Sequence, residues 1–214
     1  MTGVQTCALP ISVIGEIYFN ISDIFNELDP REDKALYRLA NKLHIKTRES
    51  AVRAQLLFRS GDPYSGRLLA ETERTLRRLD YLHDAFIRPI AYDGTHVDVL
   101  VQTRDVWTLQ PGISYSRTGG SNETGVEIEE ENLLGYGKNV TVSWSSDVER
   151  ESLLLQWKDP NVWQSRWQSA LSYSINDDGR LRFVEFERPF FSLDTHWSRS
   201  EEHTSELQSP IHIS

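Results

Sequence analysis

From Gln110 to Trp197 the chain repeats one pattern, runs of about ten residues in which apolar and polar side chains alternate, separated by polar turn-forming stretches. The expected strands are Gly112–Thr118, Gly125–Leu134, Lys138–Asp147, Glu151–Lys158, Trp167–Asn176 and Leu181–Pro189. Alternation is cleanest where Val140, Val142 and Trp144 interleave with Thr141, Ser143 and Ser145. Leu153, Leu155 and Trp157 continue it, followed by Trp167, Leu171, Tyr173 and Ile175. No helical period competes in this half. All six tryptophans lie between Trp107 and Trp197.

The preceding stretch, Val13 to about Trp107, has mixed periodicity. Ile17, Phe19 and Ile21 alternate with Tyr18, Asn20 and Ser22, which reads as a strand. After Asp29-Pro30, Leu36, Leu39, Ala40 and Leu43 fall on one helical face. Residues Ser50–Phe58 fit a helix or a short strand equally. In Gly61-Asp62-Pro63-Tyr64, Asp62 is placed to cap a helix Tyr64–Asp80, with Pro63 in its first turn. That helix carries Leu68, Leu69, Thr72, Leu76 and Leu79 on one stripe and a Glu73/Arg77 pair on the wet side. Two strands, Phe86–Tyr92 and Thr95–Val106, follow across an Asp93-Gly94 hairpin turn. Val97, Val99 and Val101 share the face that would bury the helical stripe. The expected fold is therefore an α+β unit of order β-α-α-β-β, followed by an antiparallel all-β segment.

Two architectures satisfy the second half. In a soluble β-sandwich the apolar face packs on another sheet. In an outer-membrane barrel it meets lipid, the Ser/Thr/Gln face lines a wet lumen, and Trp and Tyr collect at the interfaces. The lipid-facing candidates are Val140, Val142 and Trp144, a row without charge, where each charge would cost roughly 2–4 kcal/mol at mid-membrane.

The 214 residues are 26% charged and 38% hydrophobic, which suits folded domains rather than disorder. No apolar run reaches the roughly 18 residues of a transmembrane helix. A net charge of −9 without a dense Lys/Arg stripe argues against nucleic acid as a partner. The single cysteine rules out an internal disulfide framework and a Cys-based zinc site.

Both termini read differently from the rest. Residues 2–11 and 199–209 each resemble the conceptual translation of a common sequencing-library adaptor, and the two coding strings are reverse complements of one another. Residues 1–12 and 199–214 are accordingly expected to be adaptor-derived, leaving a native stretch of about Val13–Ser198 that is truncated at both ends. Cys7 and Met1 then drop out of any chemical argument, the net charge becomes about −7, and the lack of a signal peptide carries no information.

Catalytic and metal chemistry find little support. Glu127, Glu129, Glu130 and Glu131 form an acidic run that could be read as paired carboxylates or a cation site, but on a strand Glu127 and Glu129 simply share a solvated face. His96 and Asp98 share a strand face without further ligands nearby. His83-Asp84 suits a helix exit, where a cationic His favours the dipole. Ser60-Gly61 lacks a nucleophile elbow, and Gly135-Tyr136-Gly137 is a turn without a phosphate loop. No catalytic residue, metal or cofactor is expected.

The first half resembles a POTRA (polypeptide-transport-associated) domain in Leu56-Leu57-Phe58-Arg59-Ser60-Gly61-Asp62-Pro63-Tyr64, the helix after it, Tyr81-Leu82-His83-Asp84-Ala85 and the closing hairpin. The second half resembles the start of the barrel in outer-membrane assembly factors of the BamA/TamA-like, bacterial surface antigen superfamily. The matching residues are Glu131-Asn132-Leu133-Leu134-Gly135-Tyr136-Gly137, Lys158-Asp159-Pro160 and Glu187-Arg188-Pro189-Phe190. This implies a POTRA domain over residues 13–107 and the N-terminal barrel strands over 110–198, from a family barrel of about sixteen strands of which about six are expected here. The family's inward loop motif is absent. The resemblance implies a non-enzymatic role, the folding and insertion of β-barrel proteins into the bacterial outer membrane, with the POTRA part periplasmic. Its partners would be outer-membrane lipid, unfolded β-barrel clients and periplasmic accessory proteins. Clients would pair by β-augmentation. Candidate pairing residues are Thr95, Val97, Val99 and Val101 on Thr95–Thr103, and Gly112, Ile113, Ser114, Tyr115 and Ser116 on the first barrel strand, the family's lateral seam. Small residues there make pairing weak and reversible. The alternatives are a two-partner secretion transporter of the same superfamily and a soluble carbohydrate-binding β-sandwich with an α+β module, in which Trp and Tyr would be stacking platforms. Six strands cannot close, so an open sheet with two bare edges is expected.

Overall fold

The computed structural model describes residues 12–118, 121–148, 150–189 and 198–208. The expected adaptor-derived residues 1–11, Gly119-Gly120, Phe190 and Trp197 lie outside them.

The α+β unit runs β1 (Val13–Ser22), α1 (Ala35–Leu43), α2 (Glu49–Arg53), α3 (Gly66–Leu76), β2 (Leu82–Tyr92) and β3 (His96–Asp105). Three helices thus stand between β1 and β2 where two were expected, because Ser50–Phe58 resolves into the one-turn helix α2 followed by turns. The sheet order is β1-β3-β2, with β1 parallel and β2 antiparallel to β3. Val97, Val99 and Val101 do face the helices. They are buried with Leu69 and Leu76 of α3, Val52 of α2, Leu56 and Phe58. Each such side chain is worth about 1.5–3 kcal/mol when fully removed from water.

Two local expectations fail for identifiable reasons. Asp62 does not cap α3. Its carboxylate accepts the Arg59 N–H at 2.7 Å, and its backbone oxygen accepts Ile14 N–H at 2.8 Å, so residues 61–64 lie beside β1. Ser65 caps instead, its Oγ accepting from Leu68 N–H at 3.4 Å. The apolar stripe of α1 is also not buried: no residue of that helix is.

The second sheet is an antiparallel meander of β4 (Leu109–Thr118), β5 (Ser121–Glu130), β6 (Asn139–Ser146), β7 (Glu151–Val162), β8 (Trp167–Asn176), β9 (Gly179–Arg188) and β10 (Arg199–Gln208). It is open, with β4 and β10 at its edges. The expected strand Gly125–Leu134 ends instead at Glu130, and Leu133–Gly135 form a single 3₁₀ turn. β7 runs on to Val162, through Lys158-Asp159-Pro160. β10 lies wholly within residues 199–214 and pairs with β9 along its length, yet it has no apolar row. Backbone hydrogen bonding alone defines it.

Candidate functional site

The register of β4–β9 sorts the side chains onto two faces. Ile113 pairs with Val126, Ile128 with Val142, Trp144 with Leu153, Trp157 with Leu171 and Leu171 with Val184, all on one face. Val140, Val142 and Trp144 belong to that row. Nothing among the described residues covers it: Ile113 is 86% exposed and Val126, Ile128, Val142, Leu155, Leu171 and Val184 are all exposed. The opposite face carries Ser114, Glu127, Thr141, Ser143, Gln156, Ser172 and Ser174. β9 breaks the rule. Arg180 and Arg182 join the apolar face beside Ile175 and Tyr173, and Leu181 and Phe183 sit on the polar one. Both arginines stand next to the β8–β9 turn, and the Arg182 guanidinium lies 5.7 Å from the Tyr173 ring centre.

Aromatic residues mark both ends of the apolar face. Trp157 and Trp167 lie at the end nearest the α+β unit, where Trp167 stacks on Phe186 with ring centres 4.7 Å apart. Tyr115 and Trp144 lie toward the far end, where the Trp144 Nε1–H donates to Glu151 Oε1 at 2.7 Å.

The pairing candidates separate into two groups. β4 is an edge strand, so Gly112, Ile113, Ser114, Tyr115 and Ser116 border unpaired backbone. Gly112, Ser114 and Ser116 face the polar side, Ile113 and Tyr115 the apolar side. Thr95, Val97, Val99 and Val101 do not offer an edge. β3 is the central strand, with β1 on one side and β2 on the other, so its ladder is already satisfied; Thr95 lies in the hairpin and its carbonyl accepts Val13 N–H. In sequence the hairpin identifies β3's one neighbour, and the second arrives from 82–83 residues away. The free edges of this sheet are β2, interrupted by a register shift after Pro89, and the C-terminal part of β1 beyond residues 61–64.

The Glu131–Gly137 run turns out to join the two sheets. Arg48 N–H donates to Gly135 O at 2.9 Å, Arg48 Nε–H to Leu134 O at 3.0 Å, and the Arg48 guanidinium lies 4.3 Å from the Tyr136 ring centre. Asn132 is buried, its amide nitrogen donating to Thr47 Oγ1 at 2.8 Å and its carbonyl accepting from Gly137 N–H at 2.7 Å. Thr47 N–H in turn donates to the buried Asp105 carboxylate at 2.7 Å, beside His44 Nε2 at 2.8 Å. Gly135 and Gly137 have φ of +78° and +65°; a Cβ on the first would sit 2.4 Å from Lys46 O, on the second 2.7 Å from the Tyr81 hydroxyl. The β7–β8 turn adds a second attachment. Asn161 Nδ2–H donates to Ala54 O at 2.9 Å and Arg166 donates to Leu56 O. Sequence reasoning missed Thr47, Arg48, Asn161 and Arg166. The available signal was the pair of glycines two apart in a short hairpin connection.

The remaining polar candidates are engaged locally. Glu129 accepts from Asn139 at 2.6 Å, and Glu130, on the other face, from Thr108 at 2.5 Å and Asn132 N–H at 2.8 Å. His96 pairs with Asp93 at 3.2 Å, and Asp98 accepts Glu16 N–H at 2.9 Å. His83 lies in β2 rather than at a helix exit, and Asp84 pairs with Arg77 at 2.8 Å. Glu73 and Arg77 form the expected pair at 2.7 Å. Among the described residues no helix is long and apolar enough to cross a membrane.

No family model matches the chain, and no curated protein matches it. Among solved structures it is similar to CdiB from Acinetobacter baumannii, at 12% identity and a TM-score of 0.55, over 93% of this chain and 40% of that one. BamA from Haemophilus ducreyi lacking POTRA domains 1-3 aligns at 14% identity and a TM-score of 0.47, over 80% of this chain and 31% of its own. The chain spans less than half the length of either. The CdiB likeness is one of fold.

Proposed function

We propose that the chain is part of a bacterial outer-membrane β-barrel protein that folds and inserts other β-barrel proteins, with residues 13–107 as a periplasmic POTRA domain and β4–β9 as the first strands of the membrane wall. The observation that carries this reading is the continuous apolar face of β4–β9, bare over six strands, with a polar face behind it. A soluble sandwich would cover that face with a second sheet, and among the described residues none does. In a tilted barrel a hydrogen-bonded row climbs along the axis from strand to strand, which takes Arg180 and Arg182 toward the rim. Aromatic residues at both ends of the face fit the two interfaces.

The edge strand β4 supplies the mechanism. Its unpaired N–H and C=O groups template an incoming client strand whatever the client's sequence. Gly112, Ser114 and Ser116 give that strand little to pack against, so pairing stays reversible. A second reading, a two-partner secretion transporter, is favoured by the fold likeness to CdiB; it gives the sheet the same surroundings. The adaptor reading of residues 199–214 is supported by the lack of an apolar row in β10, and that of residues 1–12 by its coding string alone. Amplifying the genomic locus across both junctions tests it, and also whether about ten further amphipathic strands follow, as a barrel requires, or a stop codon.

The direct test is folding into lipid vesicles, read by protease protection. Val142→Arg should cost roughly 2–4 kcal/mol, and Ser143→Arg, on the opposite face, close to nothing. Equal effects, or a chain that is monomeric and monodisperse without detergent, would overturn the membrane reading.

A further inference from the structure

We propose that α1 is an interfacial helix, resting on the anionic phospholipid surface of the periplasmic leaflet beside the barrel wall. The inference rests on the membrane reading of β4–β9 and adds a second, peripheral membrane contact to it. One side of α1 is fastened to the protein. Tyr37 stacks on Phe25 with ring centres 4.1 Å apart, and Asn41 both accepts Phe25 N–H at 3.0 Å and donates to Phe25 O at 2.9 Å. That anchoring turns the stripe Leu36, Leu39 and Leu43 outward, and all three are at least half exposed, as is Ile45 just beyond the helix.

Two observations name lipid as the occupant. The first is continuity. The C-terminal end of the stripe opens into an apolar cleft of about 420 Å³ lined by Leu43, Ile45, Trp107, Leu109, Leu133 and Leu134. Leu109 heads the same face of β4 that carries Ile113, so the cleft adjoins the lipid-facing row, with Glu130, which pairs across from Leu109 and is held by Thr108 and the Asn132 N–H, at the junction. The second is charge. In a chain of net −9, residues 34–48 hold Lys34, Arg38, Lys42, Lys46 and Arg48 and no carboxylate. Arg38 and Lys46 are bridged to Asp33 and Asp23 at the segment's flanks, and Arg48 is held by Leu134 O and the Tyr136 ring, which leaves Lys34 and Lys42 as the cations offered to lipid. A short helix with an apolar face and a basic border binds anionic interfaces through both properties together.

The test uses the full chain with Cys7→Ser, a bimane fluorophore at Leu39→Cys, and phosphatidylethanolamine/phosphatidylglycerol vesicles carrying a headgroup nitroxide. A parallel label at Val142→Cys with an acyl-chain nitroxide reports the wall. Leu39 lies outside the core, so its replacement leaves the fold intact. Quenching at both positions is expected. Neutralising Lys34→Gln or Lys42→Gln should lower the docking constant about fivefold each on these vesicles, and hardly at all on phosphatidylcholine. Quenching at Val142 without quenching at Leu39 overturns the inference and leaves the membrane reading standing. Quenching at Leu39 alone overturns the membrane reading, and with it the placement of α1 beside a barrel wall. A Leu39 label that is unquenched yet blue-shifted with protein concentration would assign the face to a second copy of the chain, which also overturns it.

Discussion

Replacing Gly135 by alanine should loosen the α+β unit from the sheet, and Gly94→Ala provides the internal reference. Both glycines have positive φ, +78° and +100°, so both substitutions carry the left-handed backbone penalty of about 1–2 kcal/mol. They differ in what the new methyl meets. At Gly94 nothing lies within 4 Å; at Gly135 the Cβ would stand 2.4 Å from the Lys46 carbonyl oxygen. That carbonyl cannot slide away, because the next residue, Thr47, is held by its N–H on the buried Asp105 carboxylate. The β5–β6 turn must therefore retreat, breaking the two bonds from Arg48 to Gly135 O and Leu134 O. At about 1 kcal/mol each, Gly135→Ala costs about 2 kcal/mol beyond Gly94→Ala. Hydrogen exchange at the Arg48 amide, in detergent-solubilised full chain, reads the difference directly. Opening there should be about thirtyfold more frequent than in Gly94→Ala, while the Thr47 amide stays protected. Equal exchange at Arg48 in the two variants would refute the joint as drawn.

Strand pairing at β4 is tested in a full-length parent, where Ile113→Pro or Ser114→Pro should impair client insertion, because neighbouring N–H groups alternate between the free edge and β5, so that one proline removes an edge donor and the other loosens the edge strand itself; unaffected insertion overturns the seam assignment. Glu32 gives a pH signature in the α+β unit. The Asn26 N–H at 2.7 Å and then the Arg104 guanidinium at 2.6 Å hold its carboxyl below the usual carboxylate range. A folded value below the unfolded one means that the contact stabilises at neutral pH and is lost as pH falls through the folded value. Carboxyl carbon NMR should place the Glu32 titration below that of an unfolded glutamate, and Glu32→Gln should flatten the acid limb of the unfolding midpoint; a titration at or above the unfolded value refutes the pairing.

What the sequence shows and what it hides divide by range. β4 to β9 were legible to within a few residues because alternation and turn composition are local, and Trp167–Asn176 needed no correction. The same holds for α3, whose buried stripe and Glu73/Arg77 pair follow from helical spacing. The errors sit where a second partner arrives from far along the chain. β3 reads locally as an edge because its hairpin names β2 and nothing nearby announces β1, and Asp62 reads as a cap because its bond to Ile14 of β1 lies 48 residues away. The exposure of α1 is hidden for a different reason, since its partner Phe25 lies nearby in sequence but carries no pattern that names it. Its periodicity is that of a core helix, and only its fastening through Tyr37 and Asn41 to Phe25 reveals that the apolar side faces out. The joint unites both kinds of signal. Gly135 and Gly137 were visible as a turn, but their need to be glycine comes from Lys46 and Tyr81 in the other half of the molecule. A run that looks like a loop motif is therefore under long-range constraint, and that constraint fixes how the α+β unit sits against the β4–β9 sheet.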